Sequence, residues 1–147
     1  MTVLVIDGQG GGLGRQLVAA VKARVPGAAV WAVGTNSAAA TAMLRAGADK
    51  AATGENAVAV ACRRADVIVG PVGIVIADAM LGEITPAMAL AVGQSAAARV
   101  LVPVNQCDNI VAGAQGLPMA HLVQSAAEAV ESLAAGGQGA GAQSGAH

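Results

Sequence analysis

Five glycines fall within seven positions in VIDGQGGGLGRQLV, residues 5–18, between an apolar run and a helix-like pattern. Gly8, Gly10, Gly11, Gly12 and Gly14 would line a strand-to-helix turn. Backbone N–H groups at a helix N-terminus, with no side chains in the way, attract a phosphate. Such a turn also serves close packing alone, so a purely structural glycine loop is the competing reading. Asp7 stands at the head of the turn. A carboxylate there repels an anion unless it accepts hydrogen bonds from the loop amides or holds a Mg²⁺ ion. Pinning the loop through its own N–H groups is the simpler role.

The spacing fits Gly8-x-x-Gly11-x-x-Gly14 and Gly8-x-x-x-Gly12-x-Gly14, both of which resemble glycine loops of Rossmann reductases and epimerases. It does not fit the dinucleotide pattern G-x-G-x-x-G read from Gly8, because Leu13 takes the third glycine's place. No Gly-Lys-Ser/Thr follows, so the turn is not a Walker-type phosphate loop. An NAD site expects an acid about 20 residues beyond the loop to hold the ribose. That place reads Gly34, Thr35 and Asn36, with no carboxylate and no neighbouring Arg for a 2′-phosphate. The chain has no tyrosine, which excludes Tyr/Lys proton transfer of the reductase kind.

The elements that would hold these residues follow from the apolar pattern. TVLVI (2–6) reads as a buried strand, and residues 13–25 place Leu13, Leu17, Val18, Val21 and Val25 on one helical face. Pro26 and Gly27 end that helix, and residues 28–34 form a second strand. The next helix starts at Asn36 or Ser37 as N-cap and stops at Gly47 in a left-handed turn. A weak strand at DKAAT, a helix over ENAVAVACRRA and a clear strand at DVIVG (66–70) follow. Thr85-Pro86 opens a helix over AMALAVGQSAAA, RVLVPV (99–104) is a strand, and a last helix spans about 118–134. Alternating strands and helices imply right-handed crossovers. The expected fold is α/β, a Rossmann-like three-layer domain with a parallel sheet of about five strands over residues 1–134. Residues 135–147, rich in Gly, Ala and Gln, lack apolar periodicity and read as a flexible tail.

In such a sheet the loops after the strands share one edge, where ligands bind. Residues 7–14, 34–36, 54–56, 70–73 and 105–109 converge there. Thr35 and Asn36 are placed to contact a ribose or a second phosphate, with Asn105 nearby. Asp7, Glu83 and Cys107 are the weak candidates for catalysis. Asp78 and Glu83 flank the break AMLGEITP as possible acid/base groups or metal ligands, against solvated loop charges. Cys107, in NQCDN, has Asp108 beside it, which opposes a lowered thiol pKa. His121 opens the last helix as a surface or capping residue or a ligand contact. Cys62 falls inside a helix as a packing residue.

Composition excludes several classes. Hydrophobic residues make up 55% of the 147, aromatics 1%, charged residues 12%, against about 25% charged in ordinary soluble domains. A surface so poor in charge suits burial against a second copy, so a homo-oligomer is expected. The net charge of −1 and the absence of a basic run leave no footprint for nucleic acid. VIVGPVGIVIA is well short of the roughly 20 residues of a membrane span, and Met1 leads directly into a strand without a leader pattern. The expected compartment is the cytoplasm, with reduced thiols, and the two cysteines lack the neighbours of a zinc site.

The segments VIDGQGGGLG, GTNSAAATAMLRAGA, ATGENA, DVIVGPVGIVIADAMLGEITPAMA and VPVNQC together resemble the bacterial family known as domain of unknown function 3842. The resemblance runs from Met1 to about Leu133. It implies a small Rossmann-like intracellular protein and brings no activity, substrate or catalytic residue. The residues therefore point to a binder of a nucleotide or other phosphorylated metabolite, with a nucleotide or dinucleotide as its cofactor class. The other reading is a non-catalytic oligomeric regulatory or scaffold protein. Neither assigns a reaction.

Overall fold

The structure, a computed structural model, describes residues 1–104 and 108–136. Its elements are β1 (Thr2–Asp7), α1 (Gly12–Arg24), β2 (Ala29–Gly34), α2 (Ser37–Arg45), β3 (Lys50–Thr53) and α3 (Glu55–Arg64). Then come β4 (Val67–Pro71), a 3-10 turn (Val72–Val75), α4 (Pro86–Gln94), β5 (Ala98–Val102) and α5 (Met119–Gly136). The five strands pair in parallel in the order β3-β2-β1-β4-β5. This is the Rossmann arrangement, and the order reverses between β1 and β4.

The unbroken apolar run of β1 follows from its central place, which buries both faces. Val3 and Val5 pack with Leu17, Val18 and Val21 of α1, Met43 of α2, and Val123, Ala127 and Val130 of α5. Leu4 and Ile6 point the other way, against Val58 and Cys62 of α3 and Met88 and Val92 of α4. Three helices thus cover one face and two the other. With almost no aromatics, the core is filled by branched aliphatics, methionine and alanine. β3 is an exposed edge strand, and Lys50 Nζ lies 5.4 Å from the centroid of the Trp31 ring.

Local signals set the ends of elements. Asn36 caps α2 by accepting from Ala39 N at 2.9 Å, and Gly47 follows with φ +117°. Thr85 caps α4 by accepting from Met88 N at 3.1 Å, with Pro86 in the first turn. α4 stops at Gln94, short of the alanines to which its pattern continues. There the Ser95 hydroxyl donates to Cys62 O (2.7 Å) and accepts from Ala97 N (3.1 Å), offering the backbone an alternative to another helical turn. α5 runs to Gly136, two residues past the expected end, and the rest of the expected tail lies outside the described residues. Among the described residues no helix is long and apolar enough to cross a membrane.

Candidate functional site

β1 delivers Asp7 to the sheet edge almost fully buried, at 5% exposure. Its Oδ1 accepts from Gly8 N (2.8 Å) and its Oδ2 from Gly14 N (2.6 Å), so one carboxylate ties together both ends of the glycine turn. Burial pushes the Asp7 carboxyl above its ordinary value, opposed by the two backbone N–H groups and aided by the nearby Glu83 charge. Gly11, the residue before α1, is left-handed at φ +73°, and its N–H closes the turn on Gly8 O at 2.9 Å. A Cβ on Gly14 would come within 2.7 Å of Asp7 Cβ and 2.6 Å of Met43 sulfur; one on Gly8 would meet Thr35 Oγ1 at 2.7 Å. Packing and backbone conformation therefore account for Gly8, Gly11 and Gly14.

Gly10 and Gly12 differ. Neither has a left-handed φ, and a Cβ on either would meet nothing within 4 Å. The fold has no use for the missing side chains. The N–H groups of Gly10, Gly12 and Leu13 have no partner among the described residues. They edge a cavity of about 220 Å³ bounded also by Pro71, Met80 and Val104. No Lys or Arg lines it, so an anion there would be held by amides and the α1 dipole alone.

The turn is buttressed from the β2 side by a residue far away in sequence. Oε1 of Glu83 accepts from Gln9 N (2.9 Å), Thr35 Oγ1 (2.6 Å) and Asn36 Nδ2 (2.8 Å). Asn36 Nδ2 also donates to Gln9 O at 2.9 Å. Between them these groups hold Gln9 left-handed at φ +50°. The Glu83 carboxyl lies below its ordinary value: partial desolvation raises it, and the bonds from Thr35, Gln9 and Asn36 overcome that. Glu83 reaches this position through a chain reversal in which Asp78, Met80, Leu81 and Gly82 are all left-handed. Asp78 N closes the reversal on Ile84 O at 2.7 Å.

The structure thus joins Asp7, Gly8, Thr35, Asn36 and Glu83 in one cluster. Thr35 and Asn36, expected to contact a ribose or second phosphate, have their side-chain donors turned to Glu83. Asp78 and His121 are exposed and take no part in the cluster. Asn105 and Cys107 lie outside the described residues. The thiol of buried Cys62 is pushed up to about 11 by desolvation, which makes it a packing group. Among the described residues no group of three or more His, Cys, Asp or Glu is placed to hold a metal ion. Pro71 in the cavity wall belongs to the loop 70–73 expected at this edge, whereas sequence reasoning missed Met80 and Val104. Val104 lies two residues beyond the end of β5, a position that could have flagged it; Met80 carries no such signal.

Comparison with known proteins adds the following. The family described as Domain of unknown function (DUF3842) matches residues 2–135. No match is found among curated proteins. Among solved structures, a dodecameric FMN-dependent UbiX-like decarboxylase from Escherichia coli O157:H7 is similar at 20% identity and a TM-score of 0.47, over 90% of this chain and 76% of that one. AibC is similar at 23% identity and a TM-score of 0.47, over 89% of this chain but 38% of its own. These likenesses extend no further than the course of the chain.

Proposed function

The chain belongs to the family of the domain of unknown function (DUF3842), and we propose that it binds a nucleotide or other phosphorylated metabolite through residues 8–14. One observation carries the reading. Gly10 and Gly12 lack side chains that the fold would accommodate, beside three amides without partners among the described residues at the start of a 13-residue helix. A Cβ at Gly12 would meet nothing within 4 Å, so packing does not require a glycine there. A phosphate oxygen approaching the amides would need the space a Cβ fills. Asp7 does not oppose this strongly, because both its oxygens already face N–H groups.

The scaffold reading draws on the other three glycines, which packing explains. The two readings separate in a thermal-shift screen against inorganic phosphate, ATP, NAD, NADP, coenzyme A and FMN, with mass spectrometry of whatever co-purifies. A ligand at a hundredfold excess over its Kd stabilises by about 2.7 kcal/mol, several degrees in a domain of this size. The binding reading expects a shift that Gly12→Val removes while the variant stays folded. If no phosphate compound shifts the wild type and nothing co-purifies, the loop is structural and the scaffold reading stands.

A further inference from the structure

Away from the glycine turn, toward the edge where β3 begins and α3 ends, the chain gathers a second set of side chains with binding chemistry. Trp31, the only aromatic residue of the chain, pairs in register with Lys50, and Val33 pairs with Ala52. Paired residues of neighbouring strands point to the same face, here the α3 side, where Val33 and Trp31 pack. Ala57, Val60, Ala61 and Arg64 recur at helical spacing and form the stripe of α3 that faces them. Ala52, Ala57 and Ala61 are too small to close the space between strand and helix. A cavity of about 250 Å³ remains.

Among the described residues, two cations and no acid line this cavity. Lys50 Nζ lies 5.4 Å from the centroid of the Trp31 ring, within reach of cation–π attraction. Among the described residues, neither Lys50 nor Arg64, the last residue of α3, makes a hydrogen bond or ion pair through its side chain. The acids nearest them in sequence are engaged elsewhere. Asp49 accepts from Lys22 Nζ (2.9 Å) and Val30 N (2.8 Å), and Asp66 from Thr2 N (2.7 Å). A lysine guards an edge strand and an arginine suits the C-terminal end of a helix, but neither role needs an apolar cavity between the two. A carboxylate satisfies both cations at once, its oxygens taken in bidentate fashion by the guanidinium and its charge by the ammonium. The volume falls below the roughly 300–1,000 Å³ of drug-sized sites, so the occupant is smaller than a nucleotide. We propose that this cavity is a second ligand site, for a small organic carboxylate with a single-ring apolar body. The carboxylate meets Lys50 and Arg64, and the body lies between the Trp31 ring and the Ala57–Ala61 turn of α3. This site is separate from the glycine turn and does not depend on the anion reading there.

Trp31 is the chain's one tryptophan, with no Tyr or Phe beside it, so indole emission reports this cavity alone. The test titrates benzoate, benzyl alcohol, acetate and inorganic phosphate into the wild-type chain, Lys50→Gln, Arg64→Gln and Gly12→Val, with calorimetry run in parallel. Both cations are exposed, so the glutamines leave the core intact. Benzoate should change the emission saturably and bind about tenfold more tightly than benzyl alcohol or acetate, the worth of one charged hydrogen bond. Lys50→Gln and Arg64→Gln should each cost benzoate about the same factor. Gly12→Val should leave benzoate binding as it is, and phosphate should move the emission no more than acetate does. Benzoate that fails to saturate by both readouts, or benzyl alcohol that binds equally well, overturns the proposal. So does a glutamine variant that binds benzoate like the wild type, a loss in Gly12→Val, or a phosphate response above that of acetate. The cations then serve only the strand edge and the helix end. Emission that follows protein concentration, in step with mass by light scattering, would place a second copy on this face and overturn it too.

Discussion

Asp7 shows how a single carboxylate can shape a turn. Its two oxygens face the N–H groups of Gly8 and Gly14, and an amide in its place can accept only one of them. Asp7→Asn should therefore lower stability by about 1.5–3 kcal/mol at neutral pH, as expected for a lost hydrogen bond to a charged group, read by urea unfolding. The pH dependence has a definite sign. Burial raises the folded carboxyl above 3.8, so between that value and its folded pKa the native state keeps a proton the unfolded chain has lost. Stability contributed by Asp7 is full below 3.8 and falls as pH rises through the folded pKa. The gap between wild type and Asp7→Asn should narrow over that window; a gap that widens would contradict it. Gly12 predicts the opposite kind of change. Its Cβ would meet open space, so Gly12→Ala should raise stability by about 0.5–1 kcal/mol while weakening any phosphate effect on the melting point. A destabilised variant would mean that the backbone there needs glycine after all.

At the scale of elements, residues 76–85 do the assembling. This segment leaves β4, reverses through four left-handed residues, buries Met80 and Ile84, and hands Glu83 to the loops after β1 and β2. It then enters α4 through Thr85, whose hydroxyl donates to Glu55 Oε2 at 2.6 Å while accepting from Met88 N. Left-handed non-glycine residues store strain that surrounding contacts must hold in place. Glu83→Ala should release Gln9, Thr35 and Asn36 together and destabilise by about 1.5 kcal/mol, the low end for charged hydrogen bonds because Glu83 is only half-buried. Hydrogen exchange should quicken at Gln9 and over residues 76–85 and stay slow in β1. The Glu83 carboxyl is depressed below 4.5, so its contribution is present above that pH and is lost as pH falls through the folded pKa. Glu83→Gln should abolish this acid-side loss, which runs opposite to that of Asp7. Protection unchanged at Gln9 in Glu83→Ala would show that the buttress is incidental.

For the whole molecule, a low-charge surface with exposed Leu81, Leu90, Ile110 and Leu117 is expected to find a second copy. Light scattering over a dilution series should give a mass above the 14.1 kDa of one chain. A monomer at high micromolar concentration would refute self-association. Small side chains on α1 and α5, among them Ala19, Ala23 and Ala120, line a shallow groove where helices could approach closely.

The order of strands and helices was legible in the residues, because a strand buried on both faces must be apolar throughout and a helix must be apolar on one side. Thr85 announced its helix, and the choice of Asn36 or Ser37 announced another that the structure caps with Asn36, since a cap acts within three residues. The glycine turn was legible as a turn for the same local reason. Which glycines the fold needs was not, because Gly14 is crowded by Asp7 and Met43, and Gly8 by Thr35 and Met80, through contacts set by packing. The acid looked for after β2 was absent in sequence, yet a carboxylate stands at that edge, supplied by Glu83 from 74 residues beyond Gln9. Period and capping are properties of neighbouring residues and survive in a string of letters. The meeting of Gln9, Thr35 and Glu83 depends on β1 lying between β2 and β4 and on a left-handed reversal, and only the folded chain decides both.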